Sequence, residues 1–358
     1  MRATKQAIQA IWALQRGIPL PAGHSRTLVL QGLDGHPIEM DVTEPRGTPL
    51  GTIMLVHGMT VLGNRDERLV VLGNALASAG YRVVAPDFPC IRSLTISELQ
   101  IHRIGAAIEA VLNQPALAPS GRISLLAPSF SGALSLSAAT LPHLADQVDA
   151  VCAIGAFSHV ESVIQFLLAE PNADPYGRYI VLKKLLAATD LAQETYLLDS
   201  LDAAIQENIN ASRRERGATE TDVLGQPALA DVLLQQSDEQ RELSLRLFND
   251  SSFRLALLDQ ASSALAHEFH ALDVGNRLNA LKARVFLLHG SDDRVIPREQ
   301  SERLNSEMVR FRKPSTLVVS SLISHGDTQF NYRLLSEVGK MVNGFAFFFR
   351  HASGKHKR

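Results

Sequence analysis

The 358 residues carry 35 Lys and Arg against 37 Asp and Glu, a net charge of −2, with 46% hydrophobic and 20% charged residues. That balance belongs to a globular chain rather than a disordered one, and it excludes nucleic acid as the main partner. Two cysteines, Cys90 and Cys152, are too few for a disulfide scaffold, and no run of about 18 apolar residues marks a membrane-spanning helix.

Residues 1–25 form an N-terminal amphipathic segment. Gln6, Gln9 and Gln15 interrupt the apolar core that a signal peptide needs. The spacing predicts a short helix with Ile8, Ile11 and Trp12 on one face and Arg2, Lys5 and Arg16 around it. Such a helix either packs on the domain or makes peripheral membrane contact. With no targeting signal read, the cytoplasm is the default location.

Arg26 to Gln31 and Ile38 to Thr43 alternate around the turn-rich 32–37 and read as a hairpin. Gly51 to Val56 is a continuous apolar run that suits a strand buried on both faces, and it ends in His57-Gly58-Met59-Thr60. A helix is expected over Asp66 to Ala79, then a strand at Tyr81 to Ala85, then a helix from Ser97 to Leu112 with Ser97 as N-cap. Cys90 falls in a loop on this reading. Ile123 to Ala127 is a buried strand, Gly132 to Ala139 a helix, and Val148 to Ile154 another buried strand holding Cys152.

From about Phe157 to Leu281 no run reads as a strand. Helical segments follow one another at Val160 to Ala169, Tyr176 to Ala188, Leu191 to Ser212, around Leu224 to Gln236, and Glu239 to Phe269. Alternation then resumes with a strand at Arg284 to Leu288, a helix at Arg298 to Val309, a strand at Ser315 to Ser320 and a last helix at Asn331 to Phe348. The apolar end of that helix, Phe345 to Phe349, is expected to pack on the sheet, and the basic tail 354–358 to be disordered. Alternating strands and helices imply an α/β fold with a mostly parallel sheet and helices on both faces.

Reactive residues cluster after strand ends, where open parallel sheets bind ligands. Ala127-Pro128-Ser129-Phe130-Ser131-Gly132 sets a serine between small residues where a strand turns into a helix, the pattern of a nucleophile elbow. Ser131 also sits between small residues; Ser129 is favoured because the apolar run ends at Ala127. Asp292 and Asp293 follow a later strand and His325 the last. The order Ser, Asp, His is that of a catalytic triad on such a sheet. An imidazole takes the serine proton, and a carboxylate orients the imidazole.

In these residues the chain resembles the α/β-hydrolase superfamily over about 26–158 and 282–349. The resemblance is carried by His57-Gly58 after the third strand, Ala-Pro-Ser129-Phe-Ser at the elbow, His289-Gly-Ser-Asp-Asp293, and Ser324-His325-Gly326. It implies an eight-stranded, mostly parallel sheet and an all-helical lid after the sixth strand. The expected organisation is a core at 26–158 and 276–350 with a lid at 159–275. The resemblance also implies a triad of Ser129, Asp293 and His325, with Asp293 preferred over Asp292 because it stands three residues after the strand-ending Gly290. The oxyanion hole would use the backbone N–H groups of Met59 and Phe130. His57 and His289 are expected to be structural. Arg65, Asp66 and Arg68 read as a solvated helix start, with substrate or lid contact as the other option. His159 follows a strand end and is a candidate for lining the substrate pocket. His267 and His270, at i and i+3, fall one residue short of a zinc-protease motif, so no metal is expected.

The expected function is hydrolysis of a carboxylic ester with a small to medium apolar acyl group, through an acyl-enzyme and with no cofactor. The same residues would serve a C–C bond hydrolase, an amidase or an acyltransferase. A non-catalytic ligand-binding member of the fold is the alternative from another class. The expected partner is a small-molecule substrate.

Overall fold

The computed structural model describes residues 1–17, 25–32, 35–215, 228–323 and 335–353. Eight strands form one sheet: β1 (Ser25–Gln31), β2 (Pro37–Thr43), β3 (Thr52–Leu55), β4 (Arg82–Pro86), β5 (Ile123–Pro128), β6 (Val148–Ile154), β7 (Arg284–Gly290) and β8 (Ser315–Ser320). Their order is β1-β2-β4-β3-β5-β6-β7-β8. β2 pairs antiparallel with β1 and β4, and every other pairing is parallel. The helices are α1 (Arg2–Arg16), α2 (Glu67–Ser78), α3 (Pro89–Arg92), α4 (Leu99–Leu112), α5 (Phe130–Ala138), α6 (Val160–Ala169), α7 (Pro175–Leu186), α8 (Thr195–Glu215), α9 (Leu229–Leu234), α10 (Asp238–Asn249), α11 (Ser251–Leu272), α12 (Glu299–Arg310) and α13 (Leu335–His351).

Contacts divide the chain into two compact units: Met1–His159 with Ala271–Arg358, and Val160–His270. In the first, successive strand residues point to opposite faces. Ile53, Leu55, Val83, Leu126, Cys152, Phe286 and Leu288 join one core with residues of α1, α2 and α13. α5 and α12 pack on the strands as well. The aromatic end of α13 packs on the sheet as its sequence led one to expect. Phe345 meets Phe286 edge-on at 5.2 Å, and Phe349 stacks on Tyr81 at 4.9 Å. A glycine permits the close crossing: a Cβ on Gly344 would lie 2.3 Å from the Phe286 ring.

The second unit is helical among its described residues. Two arginines are buried in it without a carboxylate partner in the bonds they make. Arg178 donates to the carbonyls of Leu167 and Glu170 at 2.7 and 2.6 Å, at the C-terminus of α6. Arg254 donates to Leu168, Leu247 and Phe248 at 2.9–3.1 Å, closing α6 and α10 together. Apart from that of Glu170, just past α6, these are last-turn carbonyls that no helical N–H can reach. Burial first, and the Arg178 charge second, lower the Arg254 pKa from its ordinary value.

Several element limits differ from the sequence reading for local reasons. The stretch Glu239 to Phe269 is two helices rather than one. Asp250 leaves helical geometry at φ −109° and ψ 102°, and its Oδ1 accepts the Phe253 N–H, which starts α11. Cys90 lies in the short helix α3 rather than a loop. Ser97 is not the N-cap of α4; Glu98 holds that position, while the Ser97 hydroxyl accepts the Leu99 N–H at 3.3 Å. On α1, Ile11 does not share a face with Ile8 and Trp12: Ile11 is buried with Ala7 and Ala10, while Ile8 and Trp12 are exposed. Among the described residues no helix is long and apolar enough to cross a membrane.

Candidate active site

β5 ends at Pro128 and α5 begins at Phe130, so one residue, Ser129, makes the whole turn. The helix starts two residues earlier than its small-residue run suggests. The turn forces Ser129 to φ 57° and ψ −139°, a region that side chains other than glycine rarely adopt. Its N–H donates to the Ile154 carbonyl at 2.5 Å, tying the apex to the end of β6. Ser129 is half-buried, and no other described residue hydrogen-bonds its hydroxyl. The close turn restricts its neighbours. A Cβ on Gly132 would lie 3.1 Å from the Ala127 carbonyl and 3.3 Å from the Cβ atoms of Ala153 and Ala156.

Ser131, the competing serine, is fully buried, and its hydroxyl donates to the His57 carbonyl at 2.6 Å. It is tied into the scaffold and fastens α5 to the loop after β3. His57 fastens the same loop from the other side. Its Nδ1–H donates to the Gly58 carbonyl at 2.8 Å, and its Nε2 accepts the Phe88 N–H at 3.0 Å. That pair of bonds suits the neutral ring. Burial lowers its pKa from the ordinary value, against smaller raising effects from the Gly58 carbonyl and Asp87. Gly58 lies beside Pro128: a Cβ at that position would stand 3.8 Å from the proline ring. Met59 follows, half-buried, in the loop that passes the elbow. Phe130 is buried against Phe157 with ring centroids 5.4 Å apart. As the first residue of α5 its N–H has no acceptor within the helix, and the helix dipole favours negative charge there.

Two strands away, β7 ends in His289-Gly290 and the loop that carries Asp293. Strand register puts Pro128, Ile154, Leu288 and Val318 on one line across the sheet, so the two loops share its C-terminal edge. Asp293 is buried, and its Oδ1 accepts the N–H groups of Val295 and Ile296 at 2.8 and 3.0 Å. Asp292 is exposed and meets only the Ser291 hydroxyl at 3.3 Å in the bonds it makes. His289 is buried; its Nε2 lies 2.8 Å from the Ile296 carbonyl and its Nδ1 2.6 Å from the Ser301 hydroxyl. The carbonyl requires the proton on Nε2. That nitrogen also stands 3.5 Å from Asp293 Oδ2. His57, just after β3, and His289, in the last residues of β7, thus do the same job: each pins the loop that follows its strand. His325 lies outside the described residues, as do Ser324 and Gly326.

No protein-family model matches the chain, and no curated protein matches it in sequence. Solved structures do match. Brefeldin A esterase, a bacterial homologue of human hormone sensitive lipase, is 16% identical over 98% of this chain and 85% of its own, with a TM-score of 0.53. The acylaminoacyl peptidase of Pyrococcus horikoshii is 15% identical over 93% of this chain, TM-score 0.50. Dipeptidyl peptidase 4 of Porphyromonas gingivalis is 10% identical over 90%, TM-score 0.50. This chain spans 43% and 35% of the length of those two peptidases.

The chain has the α/β-hydrolase fold. Within that fold Ser129 occupies the turn after β5 and Asp293 the loop after β7, while the described residues after β8 run to Ile323 and stop short of position 325.

His159 sits at the end of the segment that follows β6. Its Nδ1 lies 3.0 Å from Asp273 Oδ2 and its Nε2 3.5 Å from Glu307 Oε1, so both ring nitrogens face carboxylates. The side-chain Oε1 of Gln300 accepts the N–H groups of Ser158 and His159, and the Ser158 hydroxyl donates to Glu307 at 2.6 Å. None of Gln300, Ser301 and Glu307 was singled out in the sequence. A signal existed: Gln300, Ser301, Leu304 and Met308 form the buried face of α12, and two of the four are polar. Asp66 caps α2 while holding Arg68, so these two serve the helix start, and Arg65 instead pairs with Glu39 of β2 at 3.1 Å. Among the described residues no group of three His, Cys, Asp or Glu side chains is arranged to hold a metal ion.

Proposed function

We propose that the chain is a serine hydrolase with Ser129 as nucleophile, Asp293 as the triad acid and His325 as the base. The observation that carries this reading is the backbone of Ser129. A non-glycine residue held at φ 57° is costly by about 1–3 kcal/mol, and such strain persists where the surroundings enforce it, most often at functional sites. Here it lifts one hydroxyl out of the strand-to-helix turn, while the next serine in line is bonded to the scaffold. Asp293 has the burial and the fixed carboxylate that an imidazole-orienting acid needs. The Phe130 N–H, at the start of α5, and the Met59 N–H are the proposed oxyanion donors. The helical unit enters the chain after β6, where the resemblance places a lid, and its role as a lid over residues 159–275 is part of the proposal.

The proposed reaction is ester hydrolysis. The histidine takes the Ser129 proton as the oxygen attacks the acyl carbonyl, and the tetrahedral oxyanion faces the two N–H groups. The alcohol leaves with that proton, and water then releases the acid by the same route. The preferred acyl group is small to medium and apolar, in keeping with the Leu-rich helical unit. An amidase reading stands second, because two of the three solved relatives named above are peptidases. The test is a panel of p-nitrophenyl esters of rising acyl length beside aminoacyl p-nitroanilides. The proposal expects faster turnover of the esters, peaking at a medium chain. Anilides turned over faster than every ester would move the chain to the amidase reading. A folded protein that turns over neither and reacts with no fluorophosphonate would be a binding member of the fold.

A further inference from the structure

The outer face of α1 carries a pattern that the core leaves unused. The helix docks inward through Ala7, Ala10, Ile11 and Ala13, against α13 and α2. Outward, Met1, Lys5, Ile8 and Trp12 follow at intervals of four, three and four residues, which aligns them in one stripe. Ile8 is 54% exposed and Trp12 47%, with the Arg16 guanidinium lying over the Trp12 ring at 4.3 Å. The helix contains Arg2, Lys5 and Arg16 and not one acid.

The neighbouring helix extends the charge. α13 turns Lys340 and Arg350 outward, and its acid Glu337 is bound to Ser320 and Ser321. Gln6 of α1 and the Phe349 carbonyl of α13 both lie within hydrogen-bonding distance of the Tyr81 hydroxyl, so the two helices meet near Arg2 and Arg350. A chain whose net charge is −2 therefore gathers Arg2, Lys5, Arg16, Lys340 and Arg350 on one helix pair. Cations alone would serve any polyanion. A stripe of Met, Ile and Trp set among them needs a partner that offers an apolar phase beneath a layer of negative charge.

We propose that α1 docks this chain peripherally on an anionic lipid surface. Ile8, Trp12 and Met1 enter the boundary between headgroups and acyl chains, and the α1–α13 cations face the headgroups. Trp12 takes the position that tryptophan favours at such interfaces. The inference does not depend on the reading of Ser129.

Trp12 is the only tryptophan in the chain, so its emission reports on this face alone. The full chain is mixed with vesicles of phosphatidylcholine, with or without an equal part of phosphatidylglycerol, and pelleted. The expected result is a blue-shifted emission and co-sedimentation with the anionic vesicles only, weakened several-fold by high salt. Lys5→Gln should weaken binding about fivefold, the effect of one cation near a charged membrane. Ile8→Ser should weaken it too, and neither should move the thermal midpoint, since both side chains are exposed. Absence of pelleting and blue shift overturns the proposal. So does wild-type binding by the folded Lys5→Gln, Ile8→Ser double variant. An equal emission shift with duplex DNA, without vesicle binding, would assign the face to nucleic acid instead.

Discussion

At the C-terminal edge of the sheet, His57 and Ser131 are buried with bonds that join neighbouring loops, and His289 and Asp293 with bonds that brace the loop after β7. In the helical unit, Arg178 and Arg254 are buried with bonds that run to helix ends. Both regions satisfy their polar groups, as buried groups must. The difference lies in what is held. The arginines close helices that would otherwise present bare carbonyls, and their backbone stays in ordinary geometry. The sheet-edge groups hold loops around a residue, Ser129, that does not sit in ordinary geometry. Polar burial thus supports stability in one region and supports a strained hydroxyl in the other.

Substitutions should separate the two regions. Ser129→Ala should lower kcat at least about 10³-fold with little change in unfolding free energy, measured by ester turnover and urea titration. Asp293→Asn should lower kcat by a similar factor, since an amide presents the wrong hydrogen-bond pattern to the base, while Asp292→Asn keeps turnover within about twofold. In the helical unit the order reverses. Arg254→Met should lower stability by about 3 kcal/mol, because it strands the carbonyls of Leu168, Leu247 and Phe248. A fall in activity without a fall in stability there would erase the contrast.

Smaller effects sharpen it. Ser129→Gly should raise stability by about 1 kcal/mol over Ser129→Ala, because glycine accepts the positive φ while both lack the hydroxyl. Equal stability of the two variants would mean the turn holds little strain. His57 gives a pH signature. Its folded pKa lies below the ordinary 6.5, so between those two values the unfolded chain binds a proton that the folded chain does not. Stability should therefore fall as pH drops below about 6.5 and level off beneath the lowered pKa. His57→Gln keeps an acceptor for Phe88 and a donor for Gly58, and should flatten that slope by up to about 1.4 kcal/mol per pH unit. An unchanged slope would place the proton uptake elsewhere.

Much of this was legible in the residues. Near-continuous apolar runs fixed the five central strands to within a residue or two, because a strand buried on both faces keeps few polar positions to blur it. The elbow was legible as small residues flanking a serine at a strand end. Its true helix start was not, because Gly132 looks like a helix opening and is small for another reason, the contact with Ala127, Ala153 and Ala156. The break at Asp250 was hidden because its neighbours keep helical spacing across it. The face of α1 was misread for a related cause: alanines at 7, 10 and 13, not the larger Ile8 and Trp12, make the buried contact. Size does not announce which face docks. The choice between Ser129 and Ser131 rests on a hydrogen bond to a carbonyl 74 residues away, which no local pattern encodes. The role proposed for His325 rests on its place in the chain, since it lies outside the described residues.

The most direct test is to label the folded chain with a fluorophosphonate and map the modified peptide by mass spectrometry, in wild type, Ser129→Ala and Ser131→Ala. The account predicts one adduct, on Ser129, lost in Ser129→Ala and kept in Ser131→Ala. An adduct on Ser131, or labelling that survives Ser129→Ala and vanishes in Ser131→Ala, would contradict it.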